Sequence, residues 1–291
     1  MFGKFVSNMM VKPYQSPLFD DPGRHGLDYE EVEFEARDGV ILRGWLIKGG
    51  TDKVVIESHF GVQCNRGGWS PEGKGPVKPW KAQIQFLRQA RHLAERGYSV
   101  LMYDFRGHGE SDLGPIPWVS WGPEEAKDVI AAVDFIAGHP ELASASIGLL
   151  SICMGSGATT YGYGLEDGLA KRTGVKAMIA VQPLLYSCFV EALGLPGFLR
   201  RAGAKVTRER LGFDLAEPNF LDDVGKITVP TLVVQNQNDP WTRLEMVRGY
   251  FDRLTVDKHL EMLDIEDSRF ASYDYLGTHP ELITGWFDRH L

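Results

Sequence analysis

The segment Gly148-Leu-Leu-Ser-Ile-Cys153-Met-Gly-Ser-Gly157 constrains the fold more than any other stretch of this 291-residue chain. An apolar strand, residues 146–153, runs straight into a helix start built of small residues. Ser151 and Gly155 flank Cys153 at −2 and +2. In so tight a turn those two neighbours come face to face, and only small side chains fit. The central residue is then held in a strained conformation, with its side chain standing above the sheet. Cys153 is also at the positive end of a helix dipole, a setting that stabilises a thiolate.

The pattern around this segment is that of a mostly parallel sheet covered by helices on both faces. YEEVEFEA and VILRGWLIKG alternate about an Asp-Gly turn and read as an antiparallel hairpin at the amino-terminal edge. Residues 53–60, 98–105 and 146–153, and later VKAMIAVQP, TVPTLVVQNQ and KHLEMLDI, read as further strands. Residues 61–79 are rich in Gly, Pro and Lys and read as a long loop. Helical spacing runs through PWKAQIQFLRQARHLAERG to Gly97, and through EEAKDVIAAVDFIAGHP between Pro123 and Gly138; HPELITGWFDRHL closes the chain as a helix. From Pro183 to Thr228, about 45 residues carry only helix-like patterning, which is too long for an ordinary connection. We expect one domain over 1–291, with 184–227 as a helical cap on the carboxyl edge of the sheet.

Composition narrows the function classes. A net charge of −8 with no long Lys/Arg run argues against a nucleic-acid partner. No run of about 18 apolar residues occurs, and the N-terminal MFGKFVSNMMVKPYQSP lacks a continuous apolar stretch of the signal-peptide kind. The expectation is a cytoplasmic protein without a membrane or nucleic-acid partner. Three cysteines, Cys64, Cys153 and Cys188, form no disulfide framework, so free thiols are expected.

The elbow resembles the G-x-S-x-G turn of the α/β-hydrolase superfamily, with Ser151 for the first Gly and Cys153 for the Ser; a cysteine there is what dienelactone hydrolases use. Three more segments fit the resemblance in the right order over roughly residues 30–291. Asp104-Phe-Arg-Gly-His-Gly-Glu-Ser111 is similar to the family's D-x-R-G-x-G-x-S loop. Ser58-His-Phe-Gly61 stands where the family has its oxyanion loop, and Pro230-Thr-Leu-Val-Val-Gln-Asn-Gln-Asn-Asp239-Pro where a strand leads to the triad acid. The resemblance implies an α/β-hydrolase fold with Cys153 as nucleophile and Asp239 as acid. It also implies oxyanion donors from the main-chain N–H of Met154 and of Gly61 or Phe60.

The base is harder to place. Only His259, His279 and His290 follow Asp239. His259 starts the last strand, at the wrong end of the sheet, and His290 ends the final helix. His279 is therefore the candidate, with a Thr278–Pro280 helix start as its alternative reading. Where the family carries its histidine, soon after the last strand, this chain reads Asp267-Ser-Arg269-Phe270. Arginine stays charged and accepts no proton near neutral pH. Two arrangements stay open: a Cys153–His279–Asp239 triad, or a site in which Arg269 stands in place of the base.

Other features have plainer readings. Asp239 before Pro240 also suits a helix N-cap. His59 and His108 suit loop bracing, and Cys64 and Cys188 suit packing. Trp69, Trp80, Trp118, Trp121, Tyr186 and Phe189 fall in loops at the carboxyl edge, where open α/β sheets bind ligands, and suit a pocket lining. The expected function is attack of Cys153 on an activated ester, lactone or thioester of a small apolar or aromatic substrate, with no cofactor and no metal. The rivals are a lyase, cyclase, isomerase or acyltransferase using Cys153 with Arg269, and a non-catalytic ligand-binding protein. The oligomeric state stays open, a homodimer among the options.

Overall fold

The computed structural model describes residues 2–61, 63–76 and 78–291. Met1 and two members of the expected 61–79 loop, Val62 and Val77, lie outside the described residues. The chain opens with helix α1 (Phe2–Val11), then strands β1 (Tyr29–Glu35), β2 (Ile41–Ile47) and β3 (Lys53–Ser58). A two-residue pairing of β4 (Gly68–Trp69) with β5 (Ile84–Gln85) precedes α2 (Leu87–Glu95), β6 (Ser99–Tyr103) and α3 (Ala126–Gly138). The elbow joins β7 (Ser146–Ile152) to α4 (Met154–Gly164), and β8 (Val175–Val181) follows. Helices α5 (Tyr186–Ala192) and α6 (Gly197–Leu211) fill the interval before β9 (Thr231–Asn236). The chain ends α7 (Leu244–Arg253), β10 (Lys258–Leu263), α8 (Arg269–Thr278) and α9 (Glu281–His290).

Eight strands make one sheet in the order β1-β2-β6-β3-β7-β8-β9-β10. β1 and β2 pair antiparallel, β2 meets β6 antiparallel, and the other pairs are parallel. Burial explains the two kinds of strand sequence. β6 is buried at every residue and β7 at all but its first, as expected for strands covered on both faces, while β1 alternates at the edge. Register brings the functional ends together: Ser58 pairs with Ser151, and Ile152 with Val181. Residues that follow β3, β7, β8 and β9 therefore leave the sheet side by side at its carboxyl edge.

Three elements differ from the sequence expectation. The helix expected from Pro79 begins only at Leu87, because Ile84 and Phe86 are both buried at a spacing of two, beside the short pairing with β4. Helix α8 was not expected. Its buried face is Arg269, Ser272, Tyr273 and Leu276, helical in period but mostly not apolar, so a hydrophobicity pattern does not reveal it. Helix α1 packs along α6, with Val6, Ser7, Met10 and Val11 buried, and so joins the helices between β8 and β9.

The D-x-R-G-x-G-x-S loop is a polar framework. The Asp104 carboxylate accepts the amides of Arg66 (2.7 Å) and Glu110 (3.0 Å) and pairs with the Arg66 guanidinium, which lies over the Trp45 ring at 4.4 Å. Arg106 donates twice to buried Asp128 (2.9 and 2.7 Å) and also to Asp38 (2.7 Å). The Ser111 hydroxyl donates to the Asp104 carbonyl at 2.6 Å and accepts the Arg43 amide at 2.9 Å. Removing one partner of such a buried pair strands the other charge, at about 3–5 kcal/mol. Arg106→Ala should therefore lower unfolding free energy by about that amount, whereas Arg91→Ala, which breaks the exposed pair with Glu95, should change it by under about 0.5 kcal/mol. Urea unfolding of the two variants checks this, and equal effects would contradict the structural role.

Candidate active site

The elbow has the expected strain. Cys153 has φ 54° and ψ −105°, a backbone conformation that non-glycine residues avoid, at a cost of about 1–3 kcal/mol. Its amide donates to the Val181 carbonyl (2.8 Å), and the Gly157 amide donates to its carbonyl (3.2 Å), so strand and helix are continuous through it. The +2 position has no room for a side chain: a Cβ on Gly155 would lie 2.3 Å from the Ser58 carbonyl oxygen. At −2, the Ser151 hydroxyl meets Thr159 at 2.8 Å. Among the described residues five non-glycine residues have positive φ, and Gln63, Trp121, Cys153 and Gln182 all stand at this site. Strain concentrates where the sheet ends.

The oxyanion-loop segment lies against the elbow helix. A Cβ on Gly61 would lie 3.0 Å from Met154 Sδ, and Phe60, Gly61 and Cys153 line one cavity. Met154 is the first residue of α4, where an amide has no intrahelical acceptor, and neither its N–H nor that of Phe60 hydrogen-bonds to another described residue. His59 braces this loop: its Nε2 accepts the Phe105 amide (3.1 Å) and its Nδ1 lies 2.6 Å from the Phe60 carbonyl. Burial, aided by neighbouring His108, holds the His59 pKa well below its ordinary value, so the ring is neutral. His108 Nδ1 lies 3.0 Å from the Arg106 carbonyl, inside its own turn.

Asp239 and His279 are not brought together. His279 caps the far end of α8, stacked on Tyr275 at 3.8 Å and in contact with the Thr278 hydroxyl at 3.0 Å. It lies about one helix length, roughly 15 Å, from Arg269 at the near end of α8. This geometry does not assemble the expected Cys153–His279–Asp239 arrangement, since the ring stands at the far end of α8 and Asp239 has other partners. Its carboxylate forms an ion pair with Arg269 and accepts the Thr242 hydroxyl (2.8 Å) and the Trp241 amide (3.0 Å). Asp239 is not the N-cap of α7 either, since that helix starts five residues later.

Arg269 is the buried partner of Asp239. It is 1% exposed; besides Asp239 it donates to the Thr242 hydroxyl (2.9 Å), the Gln182 carbonyl and, through Nε, the Tyr273 hydroxyl (2.7 Å). Burial opposes its charge, but the Asp239 carboxylate more than compensates and raises its pKa further. Tyr273 lines the same cavity as Cys153, and both Arg269 and Tyr273 are near enough for the charge of Cys153 to act on them. Burial pushes the Tyr273 phenol well above its ordinary pKa.

Above these groups lies a cavity of about 70 Å³ lined by Phe60, Trp69, Trp80, Trp121, Phe189, Trp241 and Tyr273, with Met9 of α1 and Leu184 and Leu193 beside α5. Tyr273 stacks on Phe60 (4.7 Å, 7°) and meets Trp80 edge-on (6.0 Å). The expected lining is corrected at two positions. Trp118 is held under the Arg210 guanidinium at 3.9 Å, and Tyr186 faces neighbouring clefts, although its ring packs edge-on against Trp121. Tyr273, Trp241 and Met9 were missed. Tyr273 had a signal, since it follows Arg269 by four residues and so shares its helix face. Cys64 donates to the Gly68 carbonyl (3.1 Å), and burial raises both its pKa and that of Cys188. Among the described residues no group of three or more His, Cys, Asp or Glu side chains is placed to hold a metal ion, and no helix is long and apolar enough to cross a membrane.

Comparison with known proteins places this arrangement. The chain is an α/β hydrolase by fold. The family described as serine aminopeptidase, S33, matches residues 84–206. The esterase Pf2001 of Pyrococcus furiosus superposes with a TM-score of 0.72 at 24% identity, over 97% of this chain and 98% of that one. Thiohydrolase aneE of Aspergillus aculeatus is 29% identical over 69% of this chain and 57% of its own length. Polyketide transferase grgF of Penicillium sp. is 26% identical over 55% of this chain and 47% of its own. The matched region thus spans about half the length of these curated relatives.

The closeness of Gly155 to Ser58 gives a direct check on the elbow. Gly155→Val should displace α4 from the end of β3 and slow alkylation of Cys153 by iodoacetamide. Unchanged alkylation, followed by mass spectrometry, would show that the close approach does not hold the thiol in place.

Proposed function

We propose that this protein is an acyl-transferring enzyme that uses Cys153 as its nucleophile on an ester or thioester of an apolar or aromatic acid. The observation that carries the reading is a strained cysteine at the mouth of an aromatic cavity, with the N–H groups of Met154 and Phe60 unengaged beside it. Cys153 Sγ attacks the carbonyl carbon to give an S-acyl enzyme. The oxyanion is held by the amides of Met154 and of Phe60 or Gly61, where one such donor contributes about 10²–10³ in rate. The apolar lining suits an acyl group with few polar atoms. The names of the relatives, a thiohydrolase and an esterase, accord with hydrolysis of such bonds.

One observation favours a second reading, acyl transfer to an acceptor other than water. Arg269 rather than a histidine pairs with Asp239, so the acid does not orient an imidazole of the kind that activates water in a triad. The name of a further relative, polyketide transferase, accords with this. In both readings Cys153 carries the acyl group and Asp239 serves by fixing Arg269. The substrate is a small molecule, and the proposed steps need no cofactor.

Incubation with p-nitrophenyl acetate followed by intact-mass measurement tests the proposal. An acetyl adduct on Cys153 is expected in the unaltered protein and absent in Cys153→Ala. His279→Ala should form the adduct and turn over as the unaltered protein does, since that ring lies at the other end of α8. Turnover retained in Cys153→Ala would sink the nucleophile assignment.

A further inference from the structure

We propose that Tyr273 is the acid–base residue of this site, carrying through its hydroxyl the proton that a histidine carries in a triad. The proposal rests on the reading that Cys153 is acylated. Three observations converge on the phenol. Its oxygen accepts the Nε–H of Arg269 at 2.7 Å, and an arginine can only donate. That bond fixes the phenol oxygen as acceptor and leaves its own hydrogen to point elsewhere, and Cys153 lines the same cavity. The ring is locked, stacked on Phe60 and edge-on to Trp80, so the hydroxyl keeps one position in the cavity that Cys153 also lines. The charged or titratable groups that act on it most are Arg269, Cys153 and Asp239.

The protons balance on this one residue. The Sγ thiolate bonds to the carbonyl carbon, and the C=O electron pair moves to the oxygen held by the main-chain amides. Collapse of the oxyanion breaks the bond to the leaving sulfur or oxygen, which takes the hydrogen from Tyr273. The resulting phenolate sits against the Arg269 guanidinium, a cation that cannot itself give up its proton near neutral pH. An acceptor, either water or an alcohol or thiol, then attacks the acyl carbon and yields its proton to the phenolate. The second collapse returns the electron pair to Sγ, and Tyr273 is neutral again. Arg269 is a positioning residue here, and Asp239 holds Arg269.

The test compares two acetyl donors in Tyr273→Phe. p-Nitrophenyl acetate releases a stabilised anion that needs no proton, whereas ethyl acetate releases an alkoxide that does. Acylation by the first should change by only a few-fold, while turnover of the second should fall by about 10²-fold or more. An acetyl-Cys153 adduct should also accumulate in the variant, because deacylation has lost its base. Replacing Tyr273 by 3-fluorotyrosine, which keeps ring and hydroxyl, should restore ethyl acetate turnover to within a few-fold; this arm decides the matter if Tyr273→Phe fails to fold. Equal loss with both donors, no loss with either, or no rescue by the fluorinated residue would overturn the assignment. Absence of any Cys153 adduct in the unaltered protein would instead overturn the covalent reading beneath it.

Discussion

The buried ion pair between Arg269 and Asp239 is the interaction on which the site depends. Both side chains are removed from water, and neither could be so placed alone. Asp239 leaves the end of β9, Arg269 opens α8, and Gln182 at the end of β8 receives the guanidinium on its carbonyl. With its amide turned to give N–H, Gln182 also reaches Asp239 at 3.1 Å. One cation thus ties three successive parts of the carboxyl edge together. It also sets where Tyr273 lies, one turn along α8. The same pair that closes the sheet edge therefore builds the face opposite the elbow.

This arrangement keeps the scaffold of an α/β hydrolase and places a guanidinium beside the carboxylate of Asp239. An imidazole both orients and exchanges protons, and a guanidinium only orients and donates. Chemistry that needs proton exchange must find it elsewhere in the cavity, and the phenol of Tyr273, held in one direction by Arg269, is the group we propose for it. The aromatic lining then does two things at once. An apolar lining disfavours water, which would strengthen the electrostatics among the few polar groups, and under the proposed function it would give an acyl group a largely apolar surface.

Much of the fold was legible because parallel strands buried on both faces are written as plain apolar runs, such as VLMY before Asp104 and SIGLLSI before Cys153. The elbow was legible because steric limits at Ser151 and Gly155 leave few residue choices. Helix α8 was hidden, since its inward face is Arg269, Ser272 and Tyr273, and inward charge does not look like inward burial. For the same reason His279 looks closer to the site in the sequence than it is: Arg269–Thr278 is a helix, which carries that ring about three turns away. The lining of the cavity was only partly legible. Trp121 and Trp118 are three residues apart, yet a strained backbone at Trp121 (φ 61°) turns one into the cavity while the other lies under Arg210.

The central claim is that the thiol of Cys153 faces a fixed cation rather than a base. The most direct measurement is the ratio of Cys153 alkylation rates with iodoacetate and with iodoacetamide, the same group delivered with and without negative charge. In the unaltered protein the ratio should favour iodoacetate relative to a free cysteine, and Arg269→Gln should abolish that preference while leaving the neutral reagent able to react. An identical ratio in the two proteins would contradict the account, because it would mean that Arg269 does not present its charge to Cys153.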